Sequence, residues 1–489
     1  ALRWQAIAST VYRKKRGPEI SMLFSSNLFL YAFFPVTLLL YWGLRKITLS
    51  NRAANIYLFF VSSLFYYWGS GSFILVFFFS IVANFFIGKR LHRTSQKNAR
   101  RKLLLLGITI NLLILGYYKY FIFFHSLASE LFNLGWPRPL PIFLPIGISF
   151  YTFMAISYLV EVCRREEFAG NFIEWGTYMT LFPHLVAGPI VRYSDIGAEL
   201  KNREVSLDLT FNGLYRFSLG LAKKVILANS LGVISDKIFA LPSAELTTSI
   251  AWLGMVCYTL QIYFDFAGYS DMAIGLALIF GFHFPENFKL PYQATSITEF
   301  WQRWHVSLSS WFRDFLYIPL GGNRHGLVQT CRNLLLVFFL CGLWHGAGWT
   351  FVVWGLYHGV LLMAERVAKT QLTAHIPAIL RWNFSMLLVM IGWVFFRSTS
   401  MDSAFHYLAV AFALTPTPAA PIFGLHYYLT ASTLTFVPLG ILFAVFAKHE
   451  QLIPQHAVRL RSACTIIFLL LSMAFLSKAT FSPFIYFQF

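Results

Sequence analysis

Two Trp-His pairs forty residues apart are the residues of this sequence best suited to chemistry. His305 lies in FWQRWHVSLSSWFRDF and His345 lies in CGLWHGAGWTF. Both stand in or beside apolar segments, where an imidazole is costly to bury unless it has a partner or a function. A histidine can remove a proton from an alcohol near neutral pH. The sequence contains no GxSxG elbow and no Cys beside a base. Direct acyl transfer from a thioester to a hydroxyl needs a base of this kind, and transfer through a covalent intermediate stays open.

The composition indicates an integral membrane protein. Hydrophobic residues make up 57% of the 489 residues and charged residues 12%, whereas soluble domains have about 25% charged residues. Apolar runs of roughly 20 residues, the length that crosses a bilayer, recur along the whole chain. We therefore predict an all-α polytopic membrane protein with about 10–12 transmembrane helices plus re-entrant and interfacial helices.

The net charge of +19 has a membrane explanation too. Lys and Arg cluster in short loops between the apolar runs, as the positive-inside rule requires, so nucleic acid is not an expected partner. The five cysteines have no CxxC spacing. Neither a disulfide framework nor a metal site is predicted.

Basic loops set the predicted orientation of the first spans. The loops Arg45 to Arg52 and Lys89 to Lys102 flank a hairpin of two spans, near 54–69 and 72–88, that turns at Gly69 to Ser72. Both loops belong on the cytoplasmic side, which places the N-terminus outward.

An outward N-terminus disfavours the basic run Arg13 to Arg16. Residues 1–21 fit either a signal-like basic segment or an N-terminal extension upstream of a native start at Met22, and the predicted topology favours the extension. Residues 22–489 are expected to form a single transmembrane domain.

Three segments before the first pair depart from regular spans. Residues 175–195 are too short and too rich in Pro and Gly for a span and predict a re-entrant or buried broken segment, with His184 at the break or bonding a helix end. The amphipathic segment 211–236 is predicted at the membrane interface. The apolar block 249–282 is predicted to divide near Phe266 to Gly268. It carries Asp265 and Asp271, each either in the site or in a structural hydrogen bond.

The first Trp-His pair is predicted on an amphipathic helix over 300–316. Ser296 and Glu299 have the spacing of a capping box, so a helix should begin there. A helical wheel collects the large apolar residues on one face and puts His305 at the edge of that stripe, where packing or function explains it equally well. The opposite face carries Arg303, Ser307, Ser310 and Asp314, with Arg313 nearby.

The second pair is predicted at a helix break. A span that starts near Cys331 reaches Trp344 and His345, where the sequence Gly346-Ala347-Gly348 interrupts it. A broken helix exposes backbone groups that can bind a substrate carbonyl or hydroxyl. His358, one span later, stands at no break and is interpreted as structural.

Long motifs of the chain resemble the membrane-bound O-acyltransferase family. They include LFPHLVAGPIVR at 181–192, YFDFAGYSDMAIGLALIFGF at 263–282, ENFKLPYQATSITEFWQRWHVSLSSWFRDFLYIPLGGNR at 286–324 and LWHGAGWTFVVWGLYHG at 343–359. A D-alanyl-transferring branch of the family shares the WH and WFRD elements. The continuation IPLGGNR is similar to the alginate-type branch of O-acetyltransferases.

The resemblance implies a membrane fold around a central tunnel that joins a cytoplasmic thioester donor to an acceptor on the far side. It implies that His345 is the essential catalytic histidine and that His305 is the second signature histidine. It further implies acetyl-CoA as donor, no permanently bound cofactor, the inner membrane, membrane lipid around the chain, and periplasmic polysaccharide acetylation proteins as partners. The expected donor-binding or acceptor-binding residues are Trp304, Arg303, Ser307, Arg313, Asp314, Trp344, Asp265 and Asp271.

Other functions stay open at this point. The same chemistry fits another acceptor, such as cellulose, peptidoglycan or a lipid-linked glycan, or the transfer of D-alanine. Arg303 and Arg313 fit either an anionic donor or a plain surface role. A proton-coupled transporter would use the histidines and Asp265 or Asp271 as a relay, but it would be expected to show two related halves, and no internal repeat occurs.

Overall fold

The structure is a computed structural model that describes residues 23–137, 139–165, 168–373, 376–416, 421–447, 453 and 456–478. Helix is the regular structure over these ranges, and they contain no strand. The prediction of an all-α fold is thereby confirmed. The predicted extension 1–21 and the predicted start at Met22 lie outside the described residues.

The α-helices are numbered here in chain order. They are α1 (Phe34–Ile47), α2 (Asn51–Ser70), α3 (Ile74–Arg93), α4 (Lys97–Leu115), α5 (Phe121–Leu131), α6 (Ile148–Arg164), α7 (Phe172–Thr180), α8 (Phe182–Leu185), α9 (Tyr193–Lys201), α10 (Leu207–Ala222), α11 (Asn229–Phe239), α12 (Thr248–Ile279), α13 (Ile297–Arg303), α14 (Val306–Phe312), α15 (Gly326–His345), α16 (Trp349–Thr373), α17 (Ala378–Arg397), α18 (Met401–Ala411), α19 (Leu425–Tyr428), α20 (Ala431–Ile441) and α21 (Val458–Lys478). π-Helical turns occupy Phe29–Phe33, Gly116–Tyr120, Lys223–Ala228, Arg313–Tyr317 and Leu442–Phe446.

Eight helical segments in the described ranges are long and apolar enough to cross a membrane. The first, Asn51–Arg93, is folded back on itself, because the rings of Phe59 and Phe78 lie 5.9 Å apart, whereas a straight helix would separate them by about 28 Å. The predicted hairpin and the polytopic fold are therefore confirmed. Fewer segments qualify than the predicted 10–12 spans, partly because α6 has 17 residues and begins at Ile148 rather than near 141.

The chain forms two compact units. The first comprises the residues up to Leu214 together with Ala273–Pro285, and the second comprises Tyr215–Met272 and the residues from Glu286 onward. In the first unit, Asn84 of α3 and Asn111 of α4 exchange amide hydrogen bonds of 3.1 and 2.7 Å. This reciprocal pairing satisfies two buried amides that would otherwise be costly in an apolar helix pair.

The first unit also contains the predicted broken segment. Helix α7 ends at Thr180, the single turn α8 follows, and residues 186–191 are irregular but almost entirely buried. His184 Nε2 bonds the backbone oxygen of Tyr178 at 2.8 Å, which ties the two sides of the break together. Both the buried break and the bonding of a helix end through His184 are confirmed.

Helix α12 corrects the prediction for block 249–282. It is one uninterrupted helix of 32 residues, not two spans divided near Phe266 to Gly268. Gly268 serves a close approach instead, because a Cβ there would lie 2.7 Å from the Gly220 oxygen and 2.9 Å from the Lys224 nitrogen. The glycine that indicated a break in the sequence is thus the point where two backbones meet.

The segment 211–236 is also not where the sequence placed it. Helix α10, a π-helical turn and α11 make a continuous stretch that is mostly buried, and Lys223 and Lys224 are 8% and 2% exposed. The Lys223 ammonium lies 2.7 Å from Asp271, and that of Lys224 contacts Asp265. The interfacial prediction was wrong because these lysines face carboxylates of α12 and not lipid headgroups.

In the second unit, α15 and α16 form an antiparallel pair that carries one of the two Trp-His motifs. A Cβ on Gly355 would overlap the Phe338 oxygen and come within 2.9 Å of the Gly342 backbone. A Cβ on Gly342 would in turn overlap the Phe351 oxygen. Two glycines therefore bring the helices to backbone contact one turn below His345.

We predict that Gly355→Val separates α15 from α16 and destabilises the protein, because overpacking of this kind costs about 1–3 kcal/mol. Thermal unfolding of detergent-solubilised protein, followed by fluorescence-detected size exclusion, measures the effect. Gly43→Ala in α1 is the matched control, since nothing lies within 4 Å of a Cβ at that position. Equal midpoints for the two variants would contradict the close packing.

Candidate active site

Helix α13 begins where the sequence predicted and is held at that end by two carboxylates. The Glu299 N–H donates to Ser296 Oγ at 3.0 Å, while Glu299 Oε2 accepts from the Thr295 N–H at 2.8 Å. Glu365 of α16 accepts from the N–H groups of Ile297 and Thr298 at 2.6 and 2.9 Å. Negative groups at a helix N-terminus satisfy its first donors and favour its dipole, so α16 fixes where α13 starts.

The single helix predicted over 300–316 is wrong, because the chain breaks at Trp304 and His305. His305 adopts the left-handed conformation with φ 44° and ψ 54°, which is uncommon for a residue other than glycine and concentrates at functional sites. The extended segment before it supplies the missing backbone bonds. Lys289 N–H donates to the Arg303 oxygen at 2.9 Å, and Val306 N–H donates to the Asn287 oxygen at 2.9 Å.

The break places His305 in the interior of the second unit, not at the edge of a helix stripe. Its side chain is 0% exposed. The Phe266 ring meets the imidazole edge-to-face at 4.6 Å, and the Trp344 ring lies 6.0 Å away. Burial lowers the pKa of His305 to about 3, so the ring is neutral at physiological pH.

His345 is the last residue of α15, as the glycines after it predicted. Gly346 is extended, and a Cβ on it would overlap the Phe351 ring, so only glycine lets α16 turn back this closely. The His345 side chain is 4% exposed and meets the rings of Trp354 and Phe396 edge-to-face at 4.9 and 5.3 Å. Helix α16 begins at Trp349, so the first N–H groups of a helix follow within a few residues of this histidine.

Ring contacts join the two Trp-His pairs into one aromatic cluster. Trp344 connects them, since its ring lies 6.0 Å from His305 and 4.8 Å from His345. The Trp354 ring lies 5.2 Å from the His358 ring, so the cluster also includes His358. Trp301 Nε1 donates to His358 Nδ1 at 3.3 Å, a contact in keeping with the structural interpretation of His358.

Four other predicted site residues, all between 303 and 314, have partners nearby in the structure. Trp304 is buried and packs against Phe300 and Trp393. Arg303 pairs with Glu299 at 2.8 Å and donates to the Lys289 oxygen at 3.1 Å. Arg313 and Asp314 form an ion pair of 2.7 Å on the protein surface.

The two predicted carboxylates of α12 are held in buried ion pairs. Asp271 binds Arg216 at 2.6 Å and Lys223 at 2.7 Å, and Arg216 also reaches Glu286 at 2.6 Å. Asp265 pairs with Lys224. These contacts favour the structural alternative stated for both aspartates.

The sequence analysis missed Asn287 and Glu365, which hold in place the segment 297–312, called the signature segment below. Asn287 is fully buried, and its side-chain oxygen lies 3.1 Å from His305 Nδ1 and 2.9 Å from Ser307 Oγ. The signal was the sequence PENF, a polar residue between two apolar segments shortly before the WH motif. Glu365 carried no signal, because its role depends on a helix end far away in the chain.

Comparison with known proteins settles the class. The sequence model of MBOAT, the membrane-bound O-acyltransferase family, matches residues 164–436. The chain belongs to this family. As a family member it is a multi-pass membrane O-acyltransferase, in agreement with the sequence prediction and with the apolar helices.

Three relatives show where in the family the similarity is high. A probable alginate O-acetylase AlgI of Azotobacter vinelandii is 40% identical over 508 residues, which cover 96% of this chain and 100% of that protein. A probable alginate O-acetylase AlgI of Pseudomonas aeruginosa is 43% identical over 397 residues, 80% of this chain and 75% of that one. A peptidoglycan O-acetyltransferase of Helicobacter pylori is 35% identical over 422 residues, 79% of each chain.

We predict that Lys224→Met destabilises the protein by about 3–5 kcal/mol, because it leaves the buried Asp265 carboxylate without its cation. Replacing both partners, as Lys224→Met with Asp265→Leu, should restore the thermal midpoint and keep acyl transfer, since an apolar pair can take the place of a buried ion pair. Thermal size exclusion and a transferase assay measure the two quantities. A double variant that folds normally but is inactive would place Asp265 in the site.

Proposed function

We propose that this O-acyltransferase moves acetyl groups from a cytoplasmic thioester donor, acetyl-CoA, across the inner membrane for O-acetylation of an exopolysaccharide such as alginate. His345 is the general base toward the hydroxyl that receives the acyl group. His305 positions the donor or the acceptor beside His345. Periplasmic polysaccharide acetylation proteins complete the transfer. The N-terminus faces outward, as the basic loops indicate.

The observation that carries this proposal is the joining of His305 and His345 through Trp344. Two histidines from different chain segments, each at a helix break, lie in one buried aromatic cluster of the second unit. Structure alone gives little reason for both breaks to converge on imidazoles, since a buried polar ring is costly. Such a buried pair of imidazoles suits proton transfer at a reacting hydroxyl.

His345 can supply both proton transfers that the reaction needs. The hydroxyl oxygen attacks the thioester carbonyl carbon as a nitrogen of His345 takes its proton. The new C–O bond forms, the C–S bond breaks, and the proton passes from the imidazolium to the leaving thiolate. Negative charge on the carbonyl oxygen in the transition state is stabilised by nearby backbone N–H groups, and the first turn of α16 supplies such groups close to His345.

The choice of alginate as the acceptor depends on the functions named for the relatives. The two relatives named as alginate O-acetylases reach 40% and 43% identity, and one covers 96% of this chain. The peptidoglycan O-acetyltransferase at 35% keeps peptidoglycan as the second candidate acceptor. A teichoic acid D-alanyltransferase of Bacillus subtilis is 29% identical over only 44% of this chain, which makes D-alanine a weaker alternative.

We predict that His345→Ala removes acyl transfer, with a loss of about 10²–10⁴-fold, the usual contribution of a general base. Polysaccharide O-acetyl content in cells that depend on this protein, normalised to its amount in the membrane, measures the loss. His358→Asn is the control matched for burial and cluster, and it should keep most of the transfer. Normal acetylation in the His345 variant at normal expression would contradict the assignment.

A second prediction concerns the donor. Purified protein given radiolabelled acetyl-CoA should release free CoA in a manner that depends on His345, whereas a D-alanyl thioester should react poorly. Adding alginate or peptidoglycan fragments, with the periplasmic partners where needed, separates the acceptors. Turnover of the D-alanyl thioester but not of acetyl-CoA would replace the acetyl assignment with D-alanylation.

A further inference from the structure

The side-chain amide of Asn287 connects α12 to the second signature histidine. Its Nδ2 group donates to Ser270 Oγ at 3.0 Å. Its Oδ1 lies 3.1 Å from His305 Nδ1, and it accepts from the Ser307 N–H at 3.3 Å and from Ser307 Oγ at 2.9 Å. All four residues are buried in the second unit, so these bonds do not exchange with bulk water.

One of these contacts fixes which way the amide faces. A backbone N–H can only donate, so the atom that faces the Ser307 N–H must be the carbonyl oxygen of Asn287 and not its NH₂ group. The opposite orientation would set two donors against each other inside the protein, at a cost of about 1–3 kcal/mol for a buried unsatisfied group. The Ser270 hydroxyl accepts on the other side, as this orientation requires.

The orientation of the amide determines the tautomer of His305. Because Asn287 Oδ1 is an acceptor, the nitrogen that faces it, Nδ1, must carry the hydrogen. The neutral ring, which its burial enforces, then has its lone pair on Nε2. A half-turn of the ring would put the carbon Cδ2 in the place of Nδ1 and would lose the bond to Asn287 Oδ1, so this bond itself opposes a flip.

We propose that Asn287 is a positioning residue that holds His305 as the Nδ1–H tautomer, so that His305 binds a second, non-reacting hydroxyl of the acceptor and not the thioester carbonyl, while the reacting hydroxyl gives its proton to His345. In this tautomer Nε2 accepts a hydrogen bond and has no hydrogen to donate. A hydroxyl can bind to it through its proton, whereas a carbonyl oxygen cannot. The functional part of this inference rests on the proposed acyl transfer, but the tautomer itself does not.

The support of Asn287 extends to two carboxylates next to the bonded residues, buried Asp271 and half-exposed Glu286. Ser270 is followed in the chain by Asp271, and Asn287 is preceded by Glu286, and Arg216 binds both carboxylates. Arg216 thereby fastens the extended segment to α12 beside the Ser270 to Asn287 bond. The amide is held from two directions, as a residue that fixes a catalytic ring must be.

The tautomer can be measured without any activity. We would label the protein with ¹⁵N-histidine and assign the His305 signals as those lost in His305→Gln. The expected spectrum at pH 7 shows a protonated Nδ1 and an unprotonated Nε2. A protonated Nε2, or an imidazolium, would overturn the inference and leave the proposed function standing.

Substitutions then test the positioning role. Asn287→Leu removes the acceptor at similar size and should lower acetyl transfer by about 10–100-fold while acetyl-CoA still binds with wild-type affinity. Asn287→Asp keeps an acceptor oxygen and should retain more transfer than the leucine variant. Asn84→Leu is the matched control, because it replaces an equally buried amide that bonds Asn111 and not His305, and its transfer per amount of folded protein should remain near the wild-type level.

Two outcomes would count against the positioning role. Equal losses of donor binding and transfer in Asn287→Leu would show a general structural effect. Equal activity in the Leu and Asp variants would show that the acceptor oxygen is irrelevant. If wild-type protein neither binds nor cleaves acetyl-CoA, the proposed donor fails, and the histidine spectrum still decides the tautomer.

Discussion

The interior of the second unit depends on neutralising charges that cannot reach water. Arg216, Lys223 and Lys224 stand on the α10 to α11 stretch, opposite Asp265 and Asp271 of α12. Isolated charges in such surroundings would cost several kcal/mol each, so each cation needs a carboxylate within bonding distance. Glu286, whose side chain is 41% exposed, adds a third carboxylate from the solvent-exposed side, so three anions face three cations. This balance lets a helix rich in charge lie inside an apolar protein.

The network also sets the geometry of the signature segment. Arg216 draws Glu286 against α12, and the next residue, Asn287, then bonds Ser270, His305 and Ser307. The same short segment satisfies backbone groups on both sides of the break at His305. A left-handed histidine is unfavourable by itself and persists because these bonds hold it. The buried ion pairs therefore hold the segment around Asn287, and this segment in turn holds His305 in its left-handed conformation.

Local patterns in the sequence were enough for features that depend on neighbours in the chain. The cap at Ser296, the hairpin turn near Gly71, the bonding of a helix end by His184 and the break after His345 all follow from residues a few positions apart. Features that depend on partners far away in the chain were not predicted. Lys223 and Lys224 resembled an interfacial pair because their aspartates lie more than forty residues away. The break at His305 has no glycine or proline to signal it, since its cause is the segment around Asn287.

The structure changes the interpretation of His305 more than that of His345. His345 was singled out from its glycines, and the structure keeps it at a helix end. His305 seemed explicable by packing alone, yet it proves to be fully buried, strained and bonded through Nδ1. We propose that both histidines act in the transfer of one acyl group within one cluster.

The decisive test is a structure of the wild-type protein with a thioether analogue of acetyl-CoA, in which a methylene replaces the carbonyl and blocks transfer. We expect the carbon that stands for the carbonyl to lie beside His345, at a distance that lets the attacking hydroxyl reach a nitrogen of His345 at about 3 Å, with His305 Nε2 facing the place of the acceptor. An analogue bound with that carbon outside the cluster of His305, Trp344 and His345 would contradict the proposal.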